Sequence, residues 1–466
     1  MRNDSDESDS PAGPPEATAP SDGGSVDSMR GESVVESDDP YSAVQPGELA
    51  PVPPWDRRKD RRALALLLLT VWLVYLATAT YDAFQLNDNR AVNLSAWSLG
   101  TRGTFELPEE WEGGNRWIKE GRDGALYTDR FPGAVLWTAP FHAVAEPLFG
   151  FGTPGHDVLL NYAPGGVAAA TVTALAVGIT FLVFRRLASR RLAMAATVFL
   201  AFGNGVWSVS ADSMWTHGLT HLTLMIGVLA VASERYARSG LAFAAAVLTR
   251  PHTAIVPAVV GIWESAARRR WRPMVVIGAT SMLGVVLMVA YSYWLFQTWV
   301  PIAGYSTGRP GGLVRTSWVV TGERIAYTLA HPKRGVAIYT PALLVLLPFV
   351  RHGWRASPSW VRSAAVGGLL YLGIQLRVND WTGGADFFGS RLTIETLVLL
   401  APLLLMTWRA SVSKSARLKG ACVGLLVVGV LLHGYGALNP ITAESRAAWQ
   451  AELDGLCDRA PDLNGC

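Results

Sequence analysis

Long apolar runs without charge constrain this chain more than any other feature of its sequence. Residues 63–80 form 18 consecutive positions without Asp, Glu, Lys or Arg. A helix of that length, rising 1.5 Å per residue, comes close to spanning a hydrocarbon core of roughly 30 Å. Hydrophobic residues make up 50% of the 466 positions, and they recur in such runs rather than at the spacing of a soluble amphipathic helix. The sequence therefore predicts an all-α polytopic membrane protein.

The N-terminal segment has the opposite character. Residues 1–54 carry twelve Asp and Glu against Arg2 and Arg30, a local charge of −10 in a chain whose net charge is +3. The segment is also rich in Ser, Pro and Gly and poor in aromatic residues, so it buries too little apolar surface to offset its ordering entropy. We expect a disordered tail followed by an uncleaved signal anchor.

Lys and Arg residues gather in six clusters between the apolar runs. Positively charged loops stay in the cytoplasm, so all six clusters are expected on that side. They lie within residues 57–62, 185–191, 235–238, 268–272, 351–362 and 409–419. This sidedness predicts a multi-pass protein of the plasma membrane with about eleven transmembrane helices, a cytoplasmic N-terminus and an extracytoplasmic C-terminus. The expected boundaries are an acidic cytoplasmic tail at 1–62, a transmembrane domain at 63–438 and an outer tail at 439–466.

Two apolar stretches conflict with the charge rule if each crosses the membrane once. Residues 131–151 contain three prolines, and a crossing there would put the following basic cluster outside. We therefore expect an interfacial helix inside a long first outer loop at 81–161. Residues 241–263 are flanked by basic groups and interrupted by Arg250 and Pro251, which predicts a hairpin of two short helices.

Acidic residues follow the first apolar run directly. Asp82 and Asp88 would stand at the outer membrane surface, where a partly enclosed carboxylate is suited to act as a general base. The alternative is that both are solvated loop acids.

Three further positions combine an ionisable side chain with an apolar setting. Arg130 is placed either to bind a phosphate at headgroup depth or to extend toward lipid headgroups. His217, at the outer end of the fourth span, is either a structural hydrogen-bonding residue or a base. Arg250 lies inside an apolar segment, so it either lines a site or caps the hairpin.

A glycine-rich turn and a basic loop complete the outer face. Residues 379–391 include three glycines, which let a backbone approach a ligand closely, together with Asp386 and Arg391. A tight turn with an interfacial Arg explains the same residues without a ligand. The loop at 297–335 carries more positive charge than outer loops usually bear, so either it is long enough to escape the charge rule or it faces an anionic substrate.

Taken together, these features resemble the GT-C superfamily of membrane glycosyltransferases, particularly the mannosyltransferase-like and aminoarabinose-transferase-like members that use polyprenyl-phosphate sugars. The resemblance covers about residues 63–438, and the order and sidedness of four motifs give it most of its specificity. The motifs are Asn87-Asp88-Asn89-Arg90 with its continuation at 91–103, the segment 127–133, Leu-Thr-Arg-Pro within 246–251, and the turn at 381–391.

The resemblance implies a polyprenyl (dolichyl) phosphate sugar as donor and a glycan, lipid or protein as acceptor, with membrane lipid as surroundings and no nucleic acid. It implies Asp88 as general base, with Asp82 and Asp129 as substitutes because this chain lacks the paired acids of some members. It also implies inversion at the sugar carbon. Substrate contacts are expected from Arg90, Arg130, His217, Arg250, Asp386 and Arg391. No cofactor is expected, with a divalent cation left open.

Two other functions fit parts of the sequence. A transporter or flippase for a lipid-linked sugar should show paired repeats with matching broken helices, whereas this sequence shows one broken segment. A noncatalytic membrane assembly factor of a glycan pathway would retain the same fold. The sequence contains no Walker A, GxGxxG, HExxH or GxSxG site in a fitting context, which argues against a nucleotide-driven pump and familiar hydrolases.

Overall fold

The computed structural model describes residues 49, 51–81, 87–108, 117–150, 152, 162–301, 317–379, 381–384, 387–439 and 451. These residues are mostly helical. Residues 1–48 of the expected disordered tail, and all of the expected outer tail except residues 439 and 451, lie outside the described residues.

Eight α-helices lie in the described residues up to 268. They are α1 at Arg57–Thr78, α2 at Asn87–Trp97, α3 at Pro132–Phe149, α4 at Ala163–Arg185, α5 at Arg190–Phe202, α6 at Thr216–Val231, α7 at Tyr236–Thr249 and α8 at Ile255–Arg268. Two π-helical segments follow α2 and α5, at Ser98–Arg102 and Val206–Ala211. Two short antiparallel strands are β1 at Ile118–Glu120 and β2 at Leu126–Thr128.

Eight more α-helices lie in the described residues after 268. They are α9 at Arg272–Phe296, α10 at Trp318–Ala330, α11 at Val336–Tyr339, α12 at Leu343–Leu346, α13 at Val350–Ala356, α14 at Ser359–Val378, α15 at Ile394–Ala410 and α16 at Ala416–Leu438. Turns of 3-10 helix occur at Pro251–Ala254, Leu347–Phe349 and Val412–Lys414.

Within the described residues, five helices are long and apolar enough to cross a membrane. They are α1, α4, α9, the segment Ile394–Lys414 that begins with α15, and α16. Helix α4 is mostly buried, whereas α1, α9 and α16 expose large apolar side chains such as Leu66, Leu283 and Leu431. An apolar outer surface is the arrangement expected of a helical protein embedded in a bilayer. The count of about eleven crossings stays a prediction, because the remaining expected crossings correspond to shorter or broken helices.

Helix α1 begins inside the segment that we expected to be disordered. Asp56 caps the helix by accepting hydrogen bonds from the backbone N–H groups of Arg58 and Lys59, at 3.1 and 3.0 Å. One turn later, the fully buried Asp60 pairs with Arg185 of α4 at 2.9 Å. The cap and the ion pair order these residues, so the expected tail boundary at residue 62 is too late.

The predicted broken hairpin is confirmed. Gly240 of α7 and Gly261 of α8 both abut α9 at Ile277. Glu234, just before α7, pairs with Arg268 at the end of α8 at 2.6 Å. The start of α7 and the end of α8 therefore lie at the same level, and the two helices run in opposite directions. Their expected cytoplasmic side stays a prediction.

Helix α3 contacts its neighbours at their ends. Gly133 abuts Thr249, the last residue of α7. Trp137 donates its indole N–H to the carbonyl of Ala168, in the second turn of α4, at 3.0 Å. These contacts join the first turns of α3 to the end of α7 and the second turn of α4, and the expectation that α3 does not cross the membrane stays a prediction. Leu136 and Val144 are exposed on its outer side, which gives it the apolar surface of an interfacial helix.

The two strands depart from the all-α expectation. Asp123 accepts a hydrogen bond from the N–H of Ala125 at 3.1 Å, and Gly124 takes φ +78°, so a tight turn joins the strands. Tyr127 donates its hydroxyl to Asp123 at 3.1 Å. Burial and this hydrogen bond raise the pKa of Tyr127 to about 12, which keeps it a neutral donor. The backbone N–H of Arg122 ties the turn to the end of α9.

Candidate functional site

Asp88, Arg130 and Arg391 meet at one point of the structure. Asp88 lies in the first turn of α2, Arg130 just before α3, and Arg391 just before α15. Nη1 of Arg130 donates to Oδ1 of Asp88 at 2.7 Å, and Nη1 of Arg391 donates to Oδ2 at 3.3 Å. The structure therefore brings together the expected base and the two expected phosphate-binding residues.

Arg130 is held from two sides. Its Nε lies 2.8 Å from Oδ1 of Asp129, and both side chains are 7% exposed. The hydroxyl of Tyr291, on α9, donates to the backbone carbonyl of Arg130 at 3.2 Å. The guanidinium of Arg130 is thus also a charge partner of Asp129, which was expected as a substitute base. These two contacts hold Arg130 in addition to its hydrogen bond to Asp88.

Arg391 is held by aromatic rings. Its guanidinium carbon lies 4.3 Å from the ring centre of Trp215 and 4.9 Å from that of Phe387. These two rings meet edge to face, with 6.3 Å between their centres. The side-chain amide of Asn89 is oriented so that both its oxygen and its nitrogen form hydrogen bonds. Its oxygen accepts from the indole N–H of Trp215 at 3.2 Å, and its nitrogen donates to the carbonyl of Met214. Helix α2 therefore positions the ring beneath Arg391.

The cluster has the elements of an anion site. The side chain of Asp88 is 33% exposed, whereas those of Arg130 and Arg391 are 7% and 15% exposed. Cations held in a mostly buried setting are weakly screened by solvent, so they attract an incoming anion more strongly than surface cations do. Asp88 is the most accessible of the three side chains.

A second polar cluster lies between α6, α7 and α15. His217 and Glu395 are both fully buried, and their Nδ1 and Oε1 atoms are 2.7 Å apart. Nη1 of Arg250 lies 3.2 Å from the His217 ring nitrogens and donates to the Thr216 hydroxyl at 3.1 Å. Nε of Arg250 is 3.6 Å from Oε1 of Glu395. The two expected substrate contacts His217 and Arg250 thus share a buried carboxylate partner.

Sequence reasoning missed Glu395. It follows Arg391 by four residues and lies in the first turn of an apolar helix. A carboxylate at that depth is costly unless it is paired, and this signal was available in the sequence. The second cluster adjoins the first through the segment that carries Trp215 and His217, whose rings are 6.4 Å apart.

Three predicted site residues, Arg90, Asp82 and Asp386, belong to neither cluster as described. Nε of Arg90, on α2, donates to the hydroxyl of Tyr162 at 3.3 Å, and this contact ties α2 to the residue preceding α4. Asp82 and Asp386 lie outside the described residues. Among the residues that the structure does describe, no group of three or more His, Cys, Asp or Glu side chains is arranged to hold a metal ion. The open alternative of a divalent cation therefore gains no candidate ligand set there.

No protein-family model and no curated protein sequence matches the chain. Among solved structures, ArnT from Cupriavidus metallidurans bound to undecaprenyl phosphate aligns with a TM-score of 0.44 and 17% identity, over 79% of this chain and 63% of that one. The apo form of the Archaeoglobus fulgidus oligosaccharyltransferase aligns with a TM-score of 0.45 and 11% identity, over 87% of this chain and 58% of that one.

Both solved proteins are less than 25% identical to this chain. This chain spans less than two thirds of the length of either of them. The activity, substrates and partners of this chain therefore have to be inferred from its own residues.

Proposed function

We propose that this protein is a GT-C-type inverting glycosyltransferase. It moves a sugar from a polyprenyl (dolichyl) phosphate to a glycan, lipid or protein acceptor on the outer face of the membrane. The observation that supports this most is the convergence of Asp88, Arg130 and Arg391, which are far apart in the chain, although both arginines donate hydrogen bonds to Asp88. A carboxylate beside two fixed guanidiniums is the combination that a sugar-phosphate transfer needs.

The donor phosphate binds to the arginine pair in place of Asp88. Guanidinium groups offer hydrogen bonds that match phosphate oxygens as well as carboxylate oxygens. When the phosphate takes over Nη1 of Arg130 and of Arg391, both oxygens of Asp88 lose these donors. The proton affinity of Asp88 rises when these two cationic donors are lost, so it becomes a stronger base once the donor is in place.

The transfer is a single displacement at the anomeric carbon. Asp88 takes the proton from an acceptor hydroxyl, and the acceptor oxygen forms a bond to the sugar carbon. The bond from that carbon to the phosphate oxygen breaks, and its electron pair stays on the polyprenyl phosphate. Arg130 and Arg391 stabilise this charge, and they do so without reorganisation because Asp129 and Trp215 already hold them. One displacement inverts the configuration.

One alternative has a specific observation in its favour. The ion pairs of Asp88 with Arg130 and Arg391 also join α2 to the segments before α3 and α15, which is a structural role that a noncatalytic assembly factor would retain. In such a protein, replacing Asp88 would disturb folding and leave sugar chemistry untouched.

The deciding experiment compares a deletion strain, the wild-type protein and the Asp88→Asn variant. Lipid extracts and glycans are analysed by mass spectrometry. A transferase predicts that the deletion strain accumulates a polyprenyl-phosphate sugar and makes shortened glycans, and that the variant inserts normally but restores neither. Asp123→Asn, which changes an acid in the turn between β1 and β2, is the matched control and should restore both.

Full restoration by Asp88→Asn would rule out its role as base. Normal lipid-linked sugars in the deletion strain, together with a missing partner protein in the membrane, would favour the assembly factor.

A further inference from the structure

The turn that carries Arg391 is fastened by another arginine. Arg334 lies between α10 and α11 and is 7% exposed. Its Nη1 donates to the carbonyls of Phe387 and Gly389, at 2.5 and 3.2 Å. Gly389 takes φ +85°, a backbone conformation that ordinary side chains rarely adopt. The backbone just before Arg391 is therefore fixed by a charged donor from a distant loop.

The same arginine also contacts the ring that supports Arg391. The guanidinium carbon of Arg334 lies 4.0 Å from the ring centre of Phe387, and that of Arg391 lies 4.9 Å from it. Two cations share one aromatic ring, and each is attracted by its quadrupole. Arg334 thus acts on Arg391 by two routes, through the backbone of the turn and through the Phe387 ring.

We propose that Arg334 is a positioning residue for Arg391 in the donor-phosphate site; this rests on the proposed function. It sets the place of the Arg391 guanidinium without touching the phosphate. An arginine is required because a single planar group both donates to two carbonyls and lies against a ring. A lysine keeps the charge but offers a compact ammonium that cannot lie flat on Phe387.

An arginine on the helix before this loop offers a matched control. Arg324, on α10, is 6% exposed and also donates through Nη1 to two backbone carbonyls, those of Leu376 and Asn379, at 3.2 and 3.0 Å. Its partners lie at the end of α14, before the glycines and Phe387 of the turn that carries Arg391. Arg324→Lys thus removes the same kind of contact at a different place.

The test is a double-mutant cycle on phosphate binding. Purified full-length protein in nanodiscs is titrated with farnesyl phosphate, and binding is measured for Arg334→Lys, Arg391→Ala and the double variant. We expect Arg334→Lys to weaken binding about tenfold, the loss that follows when a charged hydrogen bond is misplaced. In the Arg391→Ala background, the same change should cause no further loss, because its effect passes through Arg391.

The control variant and the results that would contradict the proposal can be told apart. Arg324→Lys should leave binding within about twofold of wild type, in keeping with a site that is not coupled to Arg391. If the Arg334→Lys loss is retained in full beside Arg391→Ala, Arg334 does not act through Arg391, while the proposed function stands. If Arg391→Ala leaves binding unchanged, the proposed phosphate site itself is wrong and the inference with it.

A second variant keeps the test valid if Arg334→Lys does not fold. Phe387→Leu retains both backbone carbonyls and removes the ring that Arg334 and Arg391 share. It should weaken farnesyl phosphate binding in the wild-type background and have no further effect beside Arg391→Ala. A loss that persists in both backgrounds would overturn the role of the ring.

Discussion

Arg391 follows Asp88 by 303 positions in the chain, yet its Nη1 lies 3.3 Å from Oδ2 of Asp88. The other oxygen of the same carboxylate lies 2.7 Å from Nη1 of Arg130. The carboxylate thus lies between two guanidiniums, in the place that we propose for the donor phosphate. If a donor phosphate binds there, it competes with Asp88, and this competition can be measured.

Asp88→Asn should separate transfer from binding. The amide cannot accept a proton from an acceptor, so transfer should fall by at least about a hundredfold, within the range that general-base catalysis contributes. The amide also competes less well than a carboxylate for Arg130 and Arg391, so farnesyl phosphate should bind about tenfold more tightly, a difference of ~1.4 kcal/mol. Titration of nanodisc protein measures this gain, with Asp123→Asn as the control. Weaker binding by Asp88→Asn would contradict the exchange of Asp88 for phosphate.

Arg130 should contribute to stability as well as to binding. Arg130→Ala removes the charge partner 2.8 Å from the mostly buried Asp129, which we expect to cost about 1–3 kcal/mol. Asp129→Ala in the same background should recover part of that loss, because a buried carboxylate is then no longer left without this partner. Unfolding in detergent measures both. Equal losses in the single and the double variant would show that the Arg130–Asp129 pair is not the source.

Glu395 should be more important for folding than any surface acid. Glu395→Gln leaves Arg250 buried without its counter-charge and should lower the free energy of unfolding by about 3 kcal/mol. Glu323→Gln, at an exposed position of α10, should change it by less than about 0.5 kcal/mol. The comparison is made in one detergent at one pH. A Glu395→Gln protein as stable as wild type would mean that the ion cluster does not stabilise the bundle.

The sequence predicted the features that depend on local composition. Apolar runs gave the helical membrane fold, and the Arg250-Pro251 break gave the α7–α8 hairpin, because proline and charge act where they occur in the chain. The β1–β2 turn and the early start of α1 were missed. Each also depends on a distant partner, Arg185 for Asp60 and the end of α9 for Arg122, whereas the Asp56 cap and the Asp123 turn are local signals that sequence reasoning overlooked.

The site residues also show that the sequence indicates individual residues but not the contacts between distant ones. Motif order pointed to Asp88, Arg130 and Arg391 individually, but nothing in the sequence indicated that both arginines donate hydrogen bonds to Asp88. The positive charge of the loop at 297–335 left two interpretations open. Arg324 and Arg334 from that loop donate to backbone carbonyls, so part of its charge is used to hold turns in place.

Membrane sidedness is the prediction on which the location of the proposed site depends. In a variant with all native cysteines replaced by serine, Ser189→Cys, next to the basic residues before α5, should react with a membrane-impermeant maleimide only after the membrane is opened. Thr104→Cys, in the expected first outer loop, should react in intact cells. The hairpin adds a second requirement, since Glu234→Cys and Arg269→Cys flank its two helices and should both label from the cytoplasm. If these two positions label from opposite sides, α7 and α8 together make one crossing. Labelling of Ser189→Cys in intact cells would reverse the assignment and place Asp88, Arg130 and Arg391 on the cytoplasmic face.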